Sequence, residues 1–311
     1  MSSSSKQNET PAGGAGNRYS GTVAVWFTSH YQVDSRDWDN IEEFGGPHHP
    51  LSGYYKSDDP AILEQQLRWI RRAGIDAIVY DVFSTGKWDL TDLPKDRTLP
   101  QLLEALENQQ DESRKLKLII WLEKYLGFPT VAQYEFALEY VRKNLVDKDY
   151  YFWYNDKPLV VAFPSWDNEA LSEVKRRTQD IEMRPIGAYD SDFWDYVAFY
   201  PQKLKKGWIC ASPGFDAYLE DAYVAKHIRK DSPLDLEAVR AKAPRADREG
   251  GAFYERQLTR AKDADPDIIF VSGWNDWQYA NQIEPAVEYE FLYVDMTARV
   301  LGRQDETAPY R

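Results

Sequence analysis

Two short runs constrain the architecture more than anything else in the chain: Leu118-Ile119-Ile120-Trp121-Leu122 and Leu159-Val160-Val161-Ala162-Phe163 are apolar at every position. A strand with one face in water alternates apolar and polar side chains. A run without alternation is therefore covered on both faces, as in a parallel sheet clothed by helices. Other short β-branched or aromatic runs alternate with longer segments of helical period, the pattern of repeated strand-helix units. The reading gives eight strands: Thr22 to Phe27, Ile75 to Val82, Leu116 to Leu122, Pro158 to Phe163, Arg184 to Tyr189, Trp194 to Tyr200, Gly207 to Ala211 and Asp267 to Gly273. Eight such units predict an α/β chain folded as a single (β/α)8 TIM barrel, which at 311 residues forms one domain.

Helix signals fall between these runs. Ser57-Asp58-Asp59-Pro60 places capping side chains before a proline suited to a first turn, and Ile62, Leu67, Ile70 and Ala73 supply an apolar face before Gly74 ends the helix. Thr98 to Glu107, Thr130 to Asn144, Asn168 to Thr178, Gly251 to Ala264 and Pro285 to Leu301 read as helices of the same kind. The expected organisation is a disordered tail over 1–18, a barrel over 19–304 and a C-terminal tail over 305–311. The polar stretch from Asp221 to Arg248 is too long for an ordinary connection and is expected to cover the barrel mouth or to move.

Composition excludes several classes of function. A formal net charge of -13 opposes binding to phosphate backbones, where Lys and Arg must displace counterions, so nucleic acid is not an expected partner. No apolar run approaches the ~20 residues of a bilayer crossing, and the Ser- and Gly-rich start does not read as a secretory signal. The single cysteine, Cys210, cannot form an internal disulfide, which suits a reducing compartment and points to the cytoplasm. Aromatic residues make up 14% of the chain, enough to supply stacking surfaces for sugar rings or an aromatic-rich core.

In a barrel of this type, reactive groups gather where the strands end at their carboxyl termini. That rule selects Ser29, His30 and Tyr31 after the first strand, Asp81 after the second, Glu123 after the third, and Trp166 with Asp167 after the fourth. Asp190, Tyr200, Asp216, Asp276, Tyr279 and Glu284 follow in the later loops. Carboxylates and aromatics dominate, which are the groups that cleavage of a glycosidic bond requires: one carboxyl to protonate the leaving oxygen, a second as base or nucleophile, and a ring-holding surface. The bland alternative is that each acid caps a helix or pairs with an arginine.

The stretch from Val271 to Pro285, with Trp274-Asn275-Asp276-Trp277 followed by Tyr279 and Ile283-Glu284-Pro285, resembles the signature of glycoside hydrolase family 99, a group of endo-α-mannosidases with WbsX-like relatives. Gly53 to Pro60 with Ala73-Gly74-Ile75-Asp76, and Ser212-Pro213-Gly214-Phe215-Asp216 with Arg245 to Tyr254, resemble two further blocks of that family in order and spacing. The resemblance implies hydrolysis of an α-linked glycoside within an oligo- or polysaccharide. It also implies a base in the Asn-Glu-Trp motif that acts on the sugar 2-hydroxyl, and a second Glu as acid. Here Asp276 and Tyr279 stand at those two positions. Asp is one methylene shorter, and a tyrosine with an ordinary pKa of ~10 is a poor proton donor to an ether oxygen.

Three explanations stay open: another carboxyl (Glu284, Glu123 or Asp216) supplies the proton, Tyr279 suffices for a good leaving group, or the barrel binds glycans without cleaving them. A glycosyltransferase is the third functional class. The expected catalytic set is Asp276, Glu284, Glu123 and Tyr279. The expected substrate contacts are Trp274, Trp277 and Tyr31 on the ring surface, Asn275 on a hydroxyl, and His49, Asp81, Asp216 and Trp166. No cofactor is implied. His30, His48 and His49 lack metal-ligand spacing, Gly45-Gly46 and Gly250-Gly251 read as turns, and Cys210 lies within a strand.

Overall fold

A computed structural model describes residues 18–31, 36–82, 90–110, 114–123, 129–163, 169–185, 207–228 and 235–310. The strands are β1 (Thr22–Phe27), β2 (Ala77–Asp81), β3 (Lys117–Leu122), β4 (Trp153–Tyr154), β5 (Lys157–Ala162), β6 (Glu182–Pro185), β7 (Trp208–Ala211), β8 (Phe215–Asp216), β9 (Arg245–Ala246) and β10 (Ile268–Val271). Seven of them form a parallel sheet in the order β6-β5-β3-β2-β1-β10-β7. Chain order is kept along this sheet, except that the first and last strands are neighbours. The predicted strand Trp194 to Tyr200 lies outside the described residues, so the described sheet is a curled half-barrel rather than a closed ring of eight. The fifth strand starts at Glu182, earlier than the predicted Arg184.

Side-chain contacts measure the curl. β3 and β10 are separated by two strands, a flat distance of about 14 Å at ordinary strand spacing, yet the rings of Trp121 and Phe270 lie with centroids 6.2 Å apart. The concave face is packed with Ala24, Trp26, Val79, Ile119, Trp121, Val161, Trp208, Cys210 and Phe270. The convex face carries Val23, Val25, Phe27, Ile78, Tyr80, Leu118, Ile120 and Leu122 under the helices. Both faces of each strand are thus buried, which is why the runs carry no polar alternation.

The main helices are α1 (Arg36–Phe44), α2 (Pro60–Arg72), α3 (Thr98–Glu107), α4 (Val131–Asn144), α5 (Glu169–Arg177), α6 (Tyr218–Tyr223), α7 (Leu236–Lys242), α8 (Ala252–Asp263) and α9 (Leu292–Val300). Asp59 caps α2 by accepting from the Ala61 amide at 2.9 Å, and Gly74 follows it with φ +76°, a conformation that favours glycine. Thr130 and Gln133 form a reciprocal capping box at α4. The last helix begins at Leu292, not Pro285. Ala286 bridges to Pro50 and Glu290 takes φ +48°, so the intervening segment is a reverse turn.

Within the polar stretch from Asp221 to Arg248, α7 and β9 are ordered. Tyr218, Leu219 and Ala222 of α6 join Tyr31, Trp38, Tyr55 and Trp277 in a cluster above the sheet. The chain end is also anchored: Thr307 is fully buried, and the segment expected as a C-terminal tail is helical over Gln304–Thr307.

Arg303 fastens the amino end of the sheet. Its guanidinium, 3% exposed, donates to the carbonyls of Gly74 (2.7 Å) and Gly21 (2.6 Å) and to the Asp76 carboxylate (2.6 Å). Asp76 also accepts from the Val23 amide at 2.8 Å. Arg303→Met is expected to lower unfolding free energy by ~3 kcal/mol, because it leaves buried acceptors without donors. Urea denaturation measures this, and an unchanged midpoint would show that the clasp is energetically idle.

Candidate active site

Inward positions on a strand recur every second residue. On β2 the inward series Ala77 and Val79 continues to Asp81, and on β3 Ile119 and Trp121 continue to Glu123. Both carboxyl groups therefore stand at the carboxyl end of the sheet, above the packed interior. Beneath them the indoles of Trp26 and Trp121 stack at 5.3 Å with a 16° interplanar angle. Each indole N–H is spent on an acid: Trp26 Nε1 donates to Asp81 Oδ2 at 3.2 Å and Trp121 Nε1 to Glu123 Oε2 at 2.8 Å.

Asp81 is 2% exposed. Burial first, and the neighbouring Glu123 charge second, push its carboxyl well above the usual range, with the Trp26 N–H acting in opposition. Asp276, 3% exposed, adds its own charge to the forces that keep Asp81 protonated. Burial raises Glu123 to about 7, and hydrogen bonds from Trp121 and Asp81 hold it back from rising further. The two acids form a pair that shares protons: Asp81 holds its own and Glu123 titrates near neutrality. Three carboxyl groups, from the ends of β2, β3 and β10, thus meet within electrostatic range.

The loop after β10 is built from internal hydrogen bonds. Gly273 lies against Trp26, where an added Cβ would sit 3.1 Å from the indole, and the Trp274 amide donates to the Trp26 carbonyl at 2.6 Å. Asn275, fully buried, staples this loop to the loop after β1. Its Oδ1 accepts from the Thr28 amide (2.8 Å) and hydroxyl (3.0 Å), while its Nδ2 donates to the Thr28 carbonyl (2.8 Å). Ring-surface roles expected for Trp274, Trp277 and Tyr31, and a hydroxyl contact expected for Asn275, are corrected by these positions. Trp274 packs in the layer between sheet and helices. Tyr31 and Trp277 are 0% and 2% exposed, with the Trp277 amide donating to the Tyr31 hydroxyl at 3.0 Å. They form the wall behind the site because their polar atoms find partners within the protein.

Glu284 sits in the same wall, fully buried, and accepts from Tyr55 OH (2.8 Å), Trp277 Nε1 (2.9 Å) and Gln66 Nε2 (3.1 Å). Burial raises its carboxyl to about 8 against the pull of these three donors. With both oxygens engaged inside a closed cage, Glu284 braces the loop rather than joining the three acids. Tyr279 is half-buried and stacks on Phe215 at 5.3 Å. Asp216 lines a separate cavity of about 210 Å³ with His48, Arg245 and Arg248, and accepts from the Tyr218 amide at 2.9 Å. His49 bonds Glu288 at 2.6 Å, while burial, then Arg248, pushes His48 down to about 4. Trp166, Asp167, Asp190 and Tyr200 lie outside the described residues. Among the described residues no group of three His, Cys, Asp or Glu is arranged to hold a metal ion.

Sequence reading had named Asp81, Glu123 and Asp276 but assigned no part to Trp26, Trp121, Tyr55 or Gln66. The alternation on β1 and β3 could have found the two tryptophans, since both fall on inward series: Trp26 follows Ala24 on β1, and Trp121 precedes Glu123 on β3. Nothing local marks Tyr55 or Gln66, which approach Glu284 from more than two hundred residues away.

Raised carboxyls bind their protons more tightly in the folded than in the unfolded chain, so stability is full below the ordinary value and falls as pH climbs through the folded value. For Glu284 that window runs from 4.5 to about 8. Glu284→Gln keeps an acceptor for Trp277 and Tyr55, and a flipped Gln66 completes the cage. Its unfolding free energy should vary less with pH across this window than that of the parent chain. Glu284→Ala leaves three buried donors unpaired and should cost ~3 kcal/mol or more at neutral pH. Urea titrations at several pH values check both, and equal pH slopes in the parent and Gln proteins would contradict the assignment.

No family model matches the chain. Its fold is similar to that of a GH99 endo-α-mannosidase from Bacteroides thetaiotaomicron, at 14% sequence identity and a TM-score of 0.63, over 93% of this chain and 98% of the other. A structure of that enzyme with bis-Tris propane aligns at 15% identity and a TM-score of 0.66, over 93% and 98% of the two chains. A glycoside hydrolase-like protein aligns at 12% identity and a TM-score of 0.56, over 94% and 96%. At identities this low, the likeness shows a shared fold.

Proposed function

We propose that the chain is a glycoside hydrolase that cleaves an α-linked bond within an oligo- or polysaccharide, in the manner of an endo-α-mannosidase. The carrying observation is the meeting of Asp81, Glu123 and Asp276 at the carboxyl end of the sheet, with one proton held near neutrality on Glu123. In this reading Asp276 is the base or nucleophile at the sugar, and Glu123 protonates the leaving oxygen. Asp81 serves as the buried neighbour that holds Glu123 in place by hydrogen bonding. Glu123 thereby takes the part of the acid absent at Tyr279, in preference to caged Glu284 and to Asp216 in its separate cavity. Closure of the sheet between β6 and β7 into an eight-stranded barrel, and a catalytic unit spanning 19–304, belong to the same reading.

The substitution of Asp276 and Tyr279 for two glutamates favours a second reading, a glycan-binding barrel without turnover. Turnover separates the two. Asp276→Asn should abolish release of reducing sugar from α-mannan oligosaccharides while the protein stays folded. Equal release by parent and variant would reject the assignment, and absence of turnover in the parent across a glycan library would favour the binder.

An acid must be protonated to act, so activity should fall as pH rises through about 7. Glu123→Gln should lose ~10²-fold or more in kcat on natural glycosides together with that alkaline limb. It should lose much less on an aryl glycoside, whose leaving group needs no proton. A retained limb in Glu123→Gln would show that another group is the acid.

A further inference from the structure

Trp153 stands out at the opposite, amino end of the sheet. In the β4–β5 hairpin, whose turn residues Asn155 and Asp156 take φ 51° and 59°, successive side chains point to opposite faces. Tyr154 turns toward the barrel, where its hydroxyl donates to Asp267 at 2.7 Å and its ring meets Trp208 edge-on at 5.6 Å. Trp153 is left 49% exposed. It borders a groove of about 530 Å³ lined also by Val146, Tyr151 and Phe152 and by the charged Lys117, Asp147, Lys148 and Asp149, within the ~300–1,000 Å³ typical of small-molecule sites. Lys117 opens β3 while Glu123 follows its last residue, so the groove lies about 20 Å of strand away from the three acids.

We propose that this groove is a surface site for a glycan chain, with one pyranose ring laid on the Trp153 indole and its hydroxyls bonded to the carboxylates and ammonium groups of the rim. A pyranose presents an apolar C–H face edged by hydroxyls. The exposed Trp153 indole, beside half-buried Phe152 and bordered by charges of both signs, matches that chemistry. A protein interface gathers several exposed apolar anchors, whereas among the described residues Trp153 is the large exposed apolar side chain of this groove, its other apolar residues Val146, Tyr151 and Phe152 being half-buried or buried. The face is also the one that in barrels carries no reaction chemistry, so its exposed tryptophan has no part in cleavage. The proposal takes from the hydrolase reading only the class of ligand, and its test needs no turnover.

Affinity electrophoresis of the full chain in gels containing soluble α-mannan, α-glucan or xylan measures the site directly, with the Asp276→Asn protein run alongside to exclude digestion. At least one polysaccharide should retard the protein. Trp153→Ala should weaken that retardation by about three- to tenfold in apparent Kd, and Trp153→Tyr should restore part of it. Release of reducing sugar from short oligosaccharides should be the same in parent and Trp153→Ala. No retardation in any gel, or equal retardation of parent and Trp153→Ala, overturns the proposal. So does sedimentation showing self-association that Trp153→Ala abolishes, since the groove would then be a contact between copies.

Discussion

The stacked pair of Trp26 and Trp121 is the contact on which the rest of the site depends. It fills the upper interior of the sheet with two large apolar planes, which removes water from beneath the acids and raises their proton affinity. The same two rings supply the only polar atoms an indole has, and aim each at one carboxyl oxygen. Packing and electrostatics are therefore set by one pair of side chains. The indoles desolvate Asp81 and Glu123, and their N–H groups limit how far that desolvation goes. The result is an acid poised near neutrality rather than one neutralised outright.

Around this pair the loop after β10 is held by polar groups that never reach solvent. Asn275 binds Thr28, and Glu284 gathers Tyr55, Gln66 and Trp277. Buried polar networks of this kind are costly when incomplete and rigid when every member is satisfied. Their effect here is to fix Asp276 near Asp81, since residues on both sides of it are pinned to other elements. Among the described residues, much of the aromatic content lies in this wall and in the interior of the sheet.

Much of this was legible before any coordinates. The unbroken apolar runs gave the parallel sheet, and six of the eight expected strands overlap described strands of that sheet closely, a seventh starting earlier at Glu182. Asp59, Gly74 and Thr130 marked helix ends where the structure has them, because capping depends on the backbone within a turn or two. The helix expected over Pro285 to Leu301 began late, since the bridge between Pro50 and Ala286 joins residues far apart in sequence and outweighs local propensity. Position at strand ends had singled out Asp81, Glu123 and Asp276, three acids that the fold brings within electrostatic range of one another. The direction of Trp274, Trp277 and Tyr31 was misjudged because a turn leaving a strand breaks the alternation on which such a judgement rests.

The sequence by itself determined the class of fold, the buried character of both sheet faces and the collection of acids at the carboxyl ends, since each follows from patterns repeated within a few residues. Only the tertiary structure decided which acids meet, which one keeps a proton and which is sealed in a cage. Those properties depend on burial and on charges only ångströms away. Asp81, Glu123 and Asp276 acquire such neighbours when the sheet curls and brings distant strand ends together, and no pattern local to any one of them encodes that distance.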